Sequence, residues 1–169
     1  DLRRSEEGFK DVIQKYPKFL PAYIMLAKTY YYKEDLKTAY QIFEKSISLQ
    51  PNVLSYVWLG KISMLQNQES QAFQFYLKAI ALDYSNPLAH YEMAKYYQKI
   101  GKIEKAVYHY NYAISYENMY PEMKYDLAML YSELKINDKA RALLTSILRA
   151  PVNETMKSNI QEKLSGLEK

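Results

Sequence analysis

The residues that could carry out catalysis or bind a metal are few and lie far apart. The chain has two histidines, no cysteine, and four glycines at positions 8, 60, 101 and 166. Neither His90 nor His109 has a histidine or a carboxylate three or four residues further on, whereas a metal site needs three or four ligands. A phosphate-binding loop needs clustered glycines. The sequence therefore predicts a protein that is not an enzyme and that uses neither a metal nor a cofactor.

The overall composition excludes further classes of protein. The 169 residues are 49% hydrophobic and 25% charged, which is ordinary for a globular protein. No uncharged run is long enough to cross a bilayer, so no membrane span is predicted. The net charge of +4 comes mainly from lysine, with only four arginines. Nucleic-acid-binding proteins usually cluster arginine and lysine, so this charge is weak evidence for such a partner.

A period of 33 to 34 residues runs through the chain. Four alanines are spaced 33, 34 and 34 residues apart: Ala39, Ala72, Ala106 and Ala140. Each is followed four residues later by a large side chain: Phe43, Tyr76, Tyr110 and Leu144. Upstream of each alanine, a second pattern reads large, x, x, Leu or Met, small, x, x, Tyr or Ser. Its first copies are Tyr23-Leu26-Ala27-Tyr30 and Tyr56-Leu59-Gly60-Ser63, followed by His90-Met93-Ala94-Tyr97 and Lys124-Leu127-Ala128-Tyr131.

Each period contains two segments whose apolar residues recur at helical spacing. Such spacing predicts amphipathic α-helices. Asn67 and Gly101 tolerate the left-handed conformation that ends helices, and Asn86-Pro87 is typical of a helix start. The predicted helices span residues 2–15, 20–32, 35–49, 53–66, 69–82, 87–100, 103–117, 121–134 and 137–150, with a further helix within 153–167.

These patterns resemble the tetratricopeptide repeat family, whose motif has a period near 34 residues. The resemblance covers residues 1 to about 152. It implies an all-α fold: a right-handed α-solenoid, or superhelix, of tetratricopeptide helix-turn-helix repeats with a C-terminal capping helix. The expected single domain, 1–169, divides into a half repeat (1–17), four repeats (20–51, 53–84, 87–118 and 121–152) and the capping helix (153–169).

The two ends of the array are expected to differ. In the last helix, Met156, Ile160 and Leu164 form one narrow apolar stripe, which is suited to covering the last repeat. The first helix corresponds to the second helix of a repeat and lacks its partner. Because the chain also begins with Asp1 rather than Met, we expect further repeats or another domain before it.

In the tetratricopeptide family, the first helix of each repeat lines a concave groove that binds an extended peptide or a partner helix. The resemblance implies that the groove-facing residues lie one, two and five positions after the first motif residue. They are Ile24, Met25 and Lys28; Val57, Trp58 and Lys61; Tyr91, Glu92 and Lys95; and Tyr125, Asp126 and Met129.

This set predicts a definite ligand chemistry. Lys28, Lys61 and Lys95 occupy equivalent positions and should form a ladder of charges beside an apolar and aromatic strip. Trp, Tyr and Met are enriched in the cores of interfaces. Chaperone-binding members hold a terminal carboxylate with several basic and amide side chains, whereas of the matching positions here only Lys28 is basic. We therefore expect an amphipathic helix or extended segment with apolar anchors and some acidic residues.

The sequence favours a non-enzymatic scaffold or adaptor that binds a partner protein, within a larger assembly. One alternative is a regulatory or oligomerising repeat arm of a larger enzyme, including self-association through the uncapped N-terminal helix. Another is nucleic-acid binding by the lysines and aromatic residues, which the scarcity of arginine disfavours. The compartment stays open between the cytoplasm and the bacterial cell envelope or periplasm, because a targeting signal would precede residue 1.

Overall fold

The computed structural model describes residues 2–115 and 120–167, and every regular element in these ranges is an α-helix. The helices are α1 (Leu2–Lys15), α2 (Leu20–Tyr32), α3 (Leu36–Leu49), α4 (Val53–Leu65), α5 (Glu69–Leu82), α6 (Pro87–Lys99), α7 (Ile103–Ser115), α8 (Pro121–Glu133), α9 (Asn137–Ile147) and α10 (Glu154–Gly166). The all-α helical-repeat prediction is confirmed. The predicted end of the third repeat at Asn118 and the last residues, 168–169, lie outside the described ranges.

Side chains at the predicted boundaries start several of these helices. Asp35, Asn52 and Asn153 each accept a hydrogen bond from the backbone N–H three residues further on. Asn86 does the same for Ala89 at 3.1 Å. These side chains satisfy backbone donors that have no partner inside the helix.

The turns inside the repeats share one geometry. Their left-handed residues are Glu34, Asn67, Gly101 and Lys135, with φ of 63°, 59°, 73° and 59°. In each turn the N–H of the next residue donates to the carbonyl five residues earlier, for example from Asp35 to Tyr30 at 3.0 Å. This is the Schellman arrangement that ends helices. Asn67 and Gly101 were predicted from residue type, whereas Glu34 and Lys135 gave no such signal.

The described residues form two compact units, one up to Tyr96 and one from Tyr97 onward. In the first unit, α2 pairs with α3 and α4 with α5. Its main core is built around Phe43, Trp58, Leu59 and Ile62. The repeating alanines are all fully buried, as their spacing predicted: Ala39, Ala72, Ala106 and Ala140.

Helices α4 and α5 approach each other closely at Gly60. A Cβ atom built at this position would lie only 2.4 Å from Cε1 of Tyr76, whose ring is buried. Real Cβ atoms do not approach a neighbour so closely. The small residue in the second repeat is therefore set by the packing of the Tyr76 ring.

Helix α1 packs on α2 without burying any of its own residues completely. Glu6 connects the two helices: its carboxylate accepts hydrogen bonds from Lys33 at 2.6 Å and from the Tyr30 hydroxyl at 2.7 Å. It also pairs with Lys10 in its own helix. These three partners hold the pKa of Glu6 at about 2, below its ordinary 4.5.

In the second unit, α8 pairs with α9, and α10 packs onto their core. Ile160 is fully buried against Leu144 and Ile147, with Met156 and Leu164 beside it. This is the stripe that predicted a capping helix. Across the described residues, no helix is both long and apolar enough to cross a membrane.

Candidate partner-binding surface

Helix α2 presents a stripe of exposed side chains on successive turns. Met25, Lys28 and Tyr32 are separated by three and four residues, so they lie on one face of the helix. Met25 is 42% exposed and Tyr32 is 58% exposed, and Lys28 is partly exposed between them. Two apolar side chains therefore flank a single ammonium group.

Trp58 of α4 lies behind this stripe. It is only 8% exposed, because its ring stacks on Phe43 at 6.0 Å and meets the edge of Tyr31 at 4.8 Å. The Tyr32 ring is 6.1 Å away. Trp58 therefore belongs to the core beneath the exposed stripe, while Tyr32 provides the accessible aromatic ring.

Two lysines lie against the Trp58 ring. The Nζ atom of Lys61 is 4.3 Å from the ring centroid, and that of Lys28 is 5.5 Å away. An ammonium group at this distance is attracted by the electrons of the ring face. The Trp58 ring therefore contacts one lysine from α2 and one from α4.

Glu92 of α6 neutralises part of the lysine ladder. The side chain is 4% exposed, and its two oxygens lie 3.3 Å from Lys61 and 3.6 Å from Lys95. Its negative charge also reaches Tyr31, whose pKa is raised first by burial and then by Glu92. Two of the three ladder lysines are therefore engaged within the protein.

We call this area the lysine surface and define it by the exposed and pairing side chains of the first unit: Met25, Lys28, Tyr32, Trp58, Lys61, Glu92 and Lys95. In α2, α4 and the part of α6 up to Tyr96, the lysine, arginine, aspartate and glutamate residues are Lys28, Lys61, Glu92 and Lys95. Three cations against one anion leave the surface positive.

Comparison with known proteins identifies the repeats that carry this surface. The family model for the tetratricopeptide repeat matches residues 20–53 and 54–86. The first match contains α2 with α3, and the second contains α4 with α5. Residues 20–86 are therefore two tetratricopeptide repeats.

A longer stretch of the chain is similar to proteins of known name. The human mitochondrial import receptor subunit TOM70 is 28% identical over 133 residues, which make up 78% of this chain and 21% of TOM70. The chain thus spans about a fifth of the length of that relative.

Two solved structures share the fold. TTC0263, a thermophilic tetratricopeptide repeat protein of Thermus thermophilus, aligns with a TM-score of 0.81 at 21% identity, over 92% of this chain and 87% of that one. YrrB, a tetratricopeptide repeat protein with an unusual peptide-binding site, aligns with a TM-score of 0.64 at 17% identity, over 95% of this chain and 84% of that one. At these identities the likeness shows the fold alone.

Two predicted groove residues of the first unit are buried between helices instead of exposed. Val57 is fully buried against Ala79 and Ala89, so it presents no surface to a partner in this structure, and its place in a partner-binding groove stays a prediction without support here. Ile24 is buried in the main core. Both stand one position after the first motif residue, where the helix turns its side chain toward its neighbours.

The residues predicted in the fourth repeat lie in the second unit. Tyr125 and Met129 are partly buried against the core around Leu144, and Asp126 is partly buried. That these residues belong to a partner-binding groove stays a prediction.

Counting motif positions missed Tyr31 and Tyr32. They lie at the end of α2, beyond the predicted offsets, and they frame Trp58 on the side of Lys28. The available signal was the run of three tyrosines from Tyr30 to Tyr32. Such a run at the end of a first helix places at least one ring outside the core.

Both histidines have packing roles in this tetratricopeptide fold. His90 is buried, with Nε2 2.9 Å from the Tyr84 carbonyl oxygen, and burial lowers its pKa. His109 stacks on Tyr97 with ring centroids 5.4 Å apart. Within residues 2–115 and 120–167, no three histidine or carboxylate side chains are grouped to hold a metal ion.

Proposed function

We propose that the chain is a non-enzymatic scaffold that binds a polypeptide segment of a partner protein on the lysine surface. The observation that carries the proposal is the exposed stripe of α2. Met25 and Tyr32 keep large apolar areas in water although a packed core lies directly beside them. Exposed apolar groups beside fixed charges are typical of protein-binding sites.

The family and its members support the same function. Tetratricopeptide repeats are protein-interaction modules, and the neighbouring structure of YrrB is described by its peptide-binding site. The relative TOM70 is a subunit of an import receptor. A receptor subunit is a binding protein, which agrees with a binding surface rather than a reaction centre.

The choice of variant for testing this proposal follows from burial. Trp58→Ala would remove a ring that packs on Phe43 and Tyr31, and truncation of a buried aromatic residue costs about 3–5 kcal/mol. Lost binding could then reflect lost folding. Tyr32 is exposed and can be exchanged without opening the core.

The experiment places a photoreactive phenylalanine analogue at residue 32 and irradiates the protein in an extract of its source organism. Residue 45 on α3, an exposed lysine outside the lysine surface, serves as the matched control position. We expect a discrete protein adduct at position 32 that is absent at position 45. Equal adducts at both positions, or none at position 32, would contradict the proposal.

A further inference from the structure

We propose that the lysine surface selects a segment with one acidic side chain between two apolar ones, and that Lys28 alone binds this acid. The inference rests on the proposed function and specifies its ligand. The lysine ladder predicted one available charge per repeat. Contacts within the protein instead leave one acid-binding position, at the α2 end of the surface.

Lys61 and Lys95 are already engaged by a carboxylate of the protein itself. Both ammonium groups lie close to the Glu92 carboxylate, at 3.3 Å and 3.6 Å. A ligand carboxylate that approached them would meet the negative charge of Glu92, which is 4% exposed and already lies between the two ammonium groups. A second acid on the ligand would have to share both ammonium groups with Glu92 and would be repelled by that carboxylate, so it is bound less favourably there than on Lys28.

Lys28 differs from the other two lysines. Among the described residues it has no ion pair, and its contact is with the Trp58 ring at 5.5 Å. A lysine ammonium group has three N–H donors, and an aromatic ring face does not occupy all of them with hydrogen bonds. The remaining donors are available to a carboxylate. Lys28 can bind an acid without breaking any ion pair.

The neighbours of Lys28 define what flanks the acid. Met25 lies one turn before it and Tyr32 one turn after it, so the stripe covers about 10 Å of helix α2. A ligand carboxylate on Lys28 would place flanking side chains over the Met25 thioether and the Tyr32 ring. Both contacts remove apolar area from water, and the single charge fixes the register.

The test selects a phage-displayed library of random peptides on four immobilised proteins: wild type, Lys28→Glu, Lys28→Gln and the control Lys45→Glu. Lys45 is also an exposed helical lysine, so Lys45→Glu changes the net charge equally but leaves the surface intact. The best wild-type peptide is then synthesised with its acid and with the matching amide, and Kd is measured by fluorescence anisotropy.

We expect wild type and Lys45→Glu to enrich peptides with one acid flanked by apolar residues. The acid-to-amide change should weaken binding about fivefold on wild type and should have no effect on Lys28→Gln. Glu92→Gln, which frees two ammonium groups while keeping the side-chain shape, should admit peptides with two acids.

The remaining outcomes overturn the inference in distinguishable ways. Enrichment without an acid preference, or an acid preference that survives both Lys28 variants, refutes the role of Lys28 while leaving the scaffold proposal in place. Doubly acidic peptides preferred by wild type refute the role of Glu92. No enrichment on wild type, together with no adduct at residue 32, refutes both proposals. A thermal melt of each variant confirms that it is folded.

Discussion

The contact between Gly60 and Tyr76 allows the packing between paired helices to be tested with a single methyl group. Gly60→Ala adds a Cβ atom 2.4 Å from Cε1 of Tyr76. The ring cannot swing into water, because Tyr76 is buried in the interior of the α4–α5 pair. The helices must separate or the ring must leave its preferred rotamer, and such overpacking costs about 1–3 kcal/mol.

The helix preference of alanine partly offsets this steric cost. Alanine is favoured over glycine inside a helix by about 1 kcal/mol. The net result should still be destabilisation, by up to about 2 kcal/mol. Gly8→Ala provides the matched control, because a Cβ atom at Gly8 would meet nothing within 4 Å. That variant should gain stability through the helix preference alone.

Urea unfolding followed by far-UV circular dichroism measures both changes. A second background separates the steric effect from the helix preference: with Tyr76→Leu in place, Gly60→Ala should become neutral or stabilising, since the ring atoms that it meets are gone. If Gly60→Ala were as stabilising as Gly8→Ala in the wild-type background, the close approach of α4 and α5 would be refuted.

Two further predictions concern α1 and the turns. The Glu6 carboxylate has a pKa of about 2 in the folded protein against an ordinary 4.5, so its contribution to the docking of α1 is fully present above pH 4.5 and is lost as the pH falls toward 2. NMR shifts of α1 amides should follow this loss, and Glu6→Gln should abolish the pH dependence. Lys135→Gly should relieve a lysine in the left-handed conformation and raise the free energy of unfolding by about 1 kcal/mol, which is measured as a higher urea midpoint. A lowered midpoint would contradict that strain.

The sequence predicted the helices well because their determinants are local and repeat. Ala39, Ala72 and Ala140 are fully buried in the helices of three close pairs, α2 with α3, α4 with α5 and α8 with α9, so their spacing follows from a packing arrangement that repeats. Caps such as Asp35 and Asn52 act within three residues of themselves. Such signals are readable one residue at a time, and the helix ends differ from prediction mainly at α9, which ends at Ile147 rather than residue 150.

The partner-binding surface was harder to predict, because long side chains choose their contacts in three dimensions. The motif position of a residue indicates the direction of its Cα–Cβ bond, but it does not indicate where the end of a long side chain lies. Trp58 turns onto Phe43 and joins the core, and Val57 falls between helices. Tyr32 lies outside the counted positions and still provides the most exposed ring near Trp58.

The charge of the surface depends on pairs that a repeat pattern does not reveal. Lys28, Lys61 and Lys95 are equivalent in the motif, yet Glu92 on the third repeat pairs with two of them and leaves Lys28 without an ion pair among the described residues. Equivalence in sequence therefore does not give equivalence in binding. A repeated array can specify one charged contact by engaging the other cations in internal ion pairs, and the ligand then has to match the apolar stripe of α2 as well as its cation.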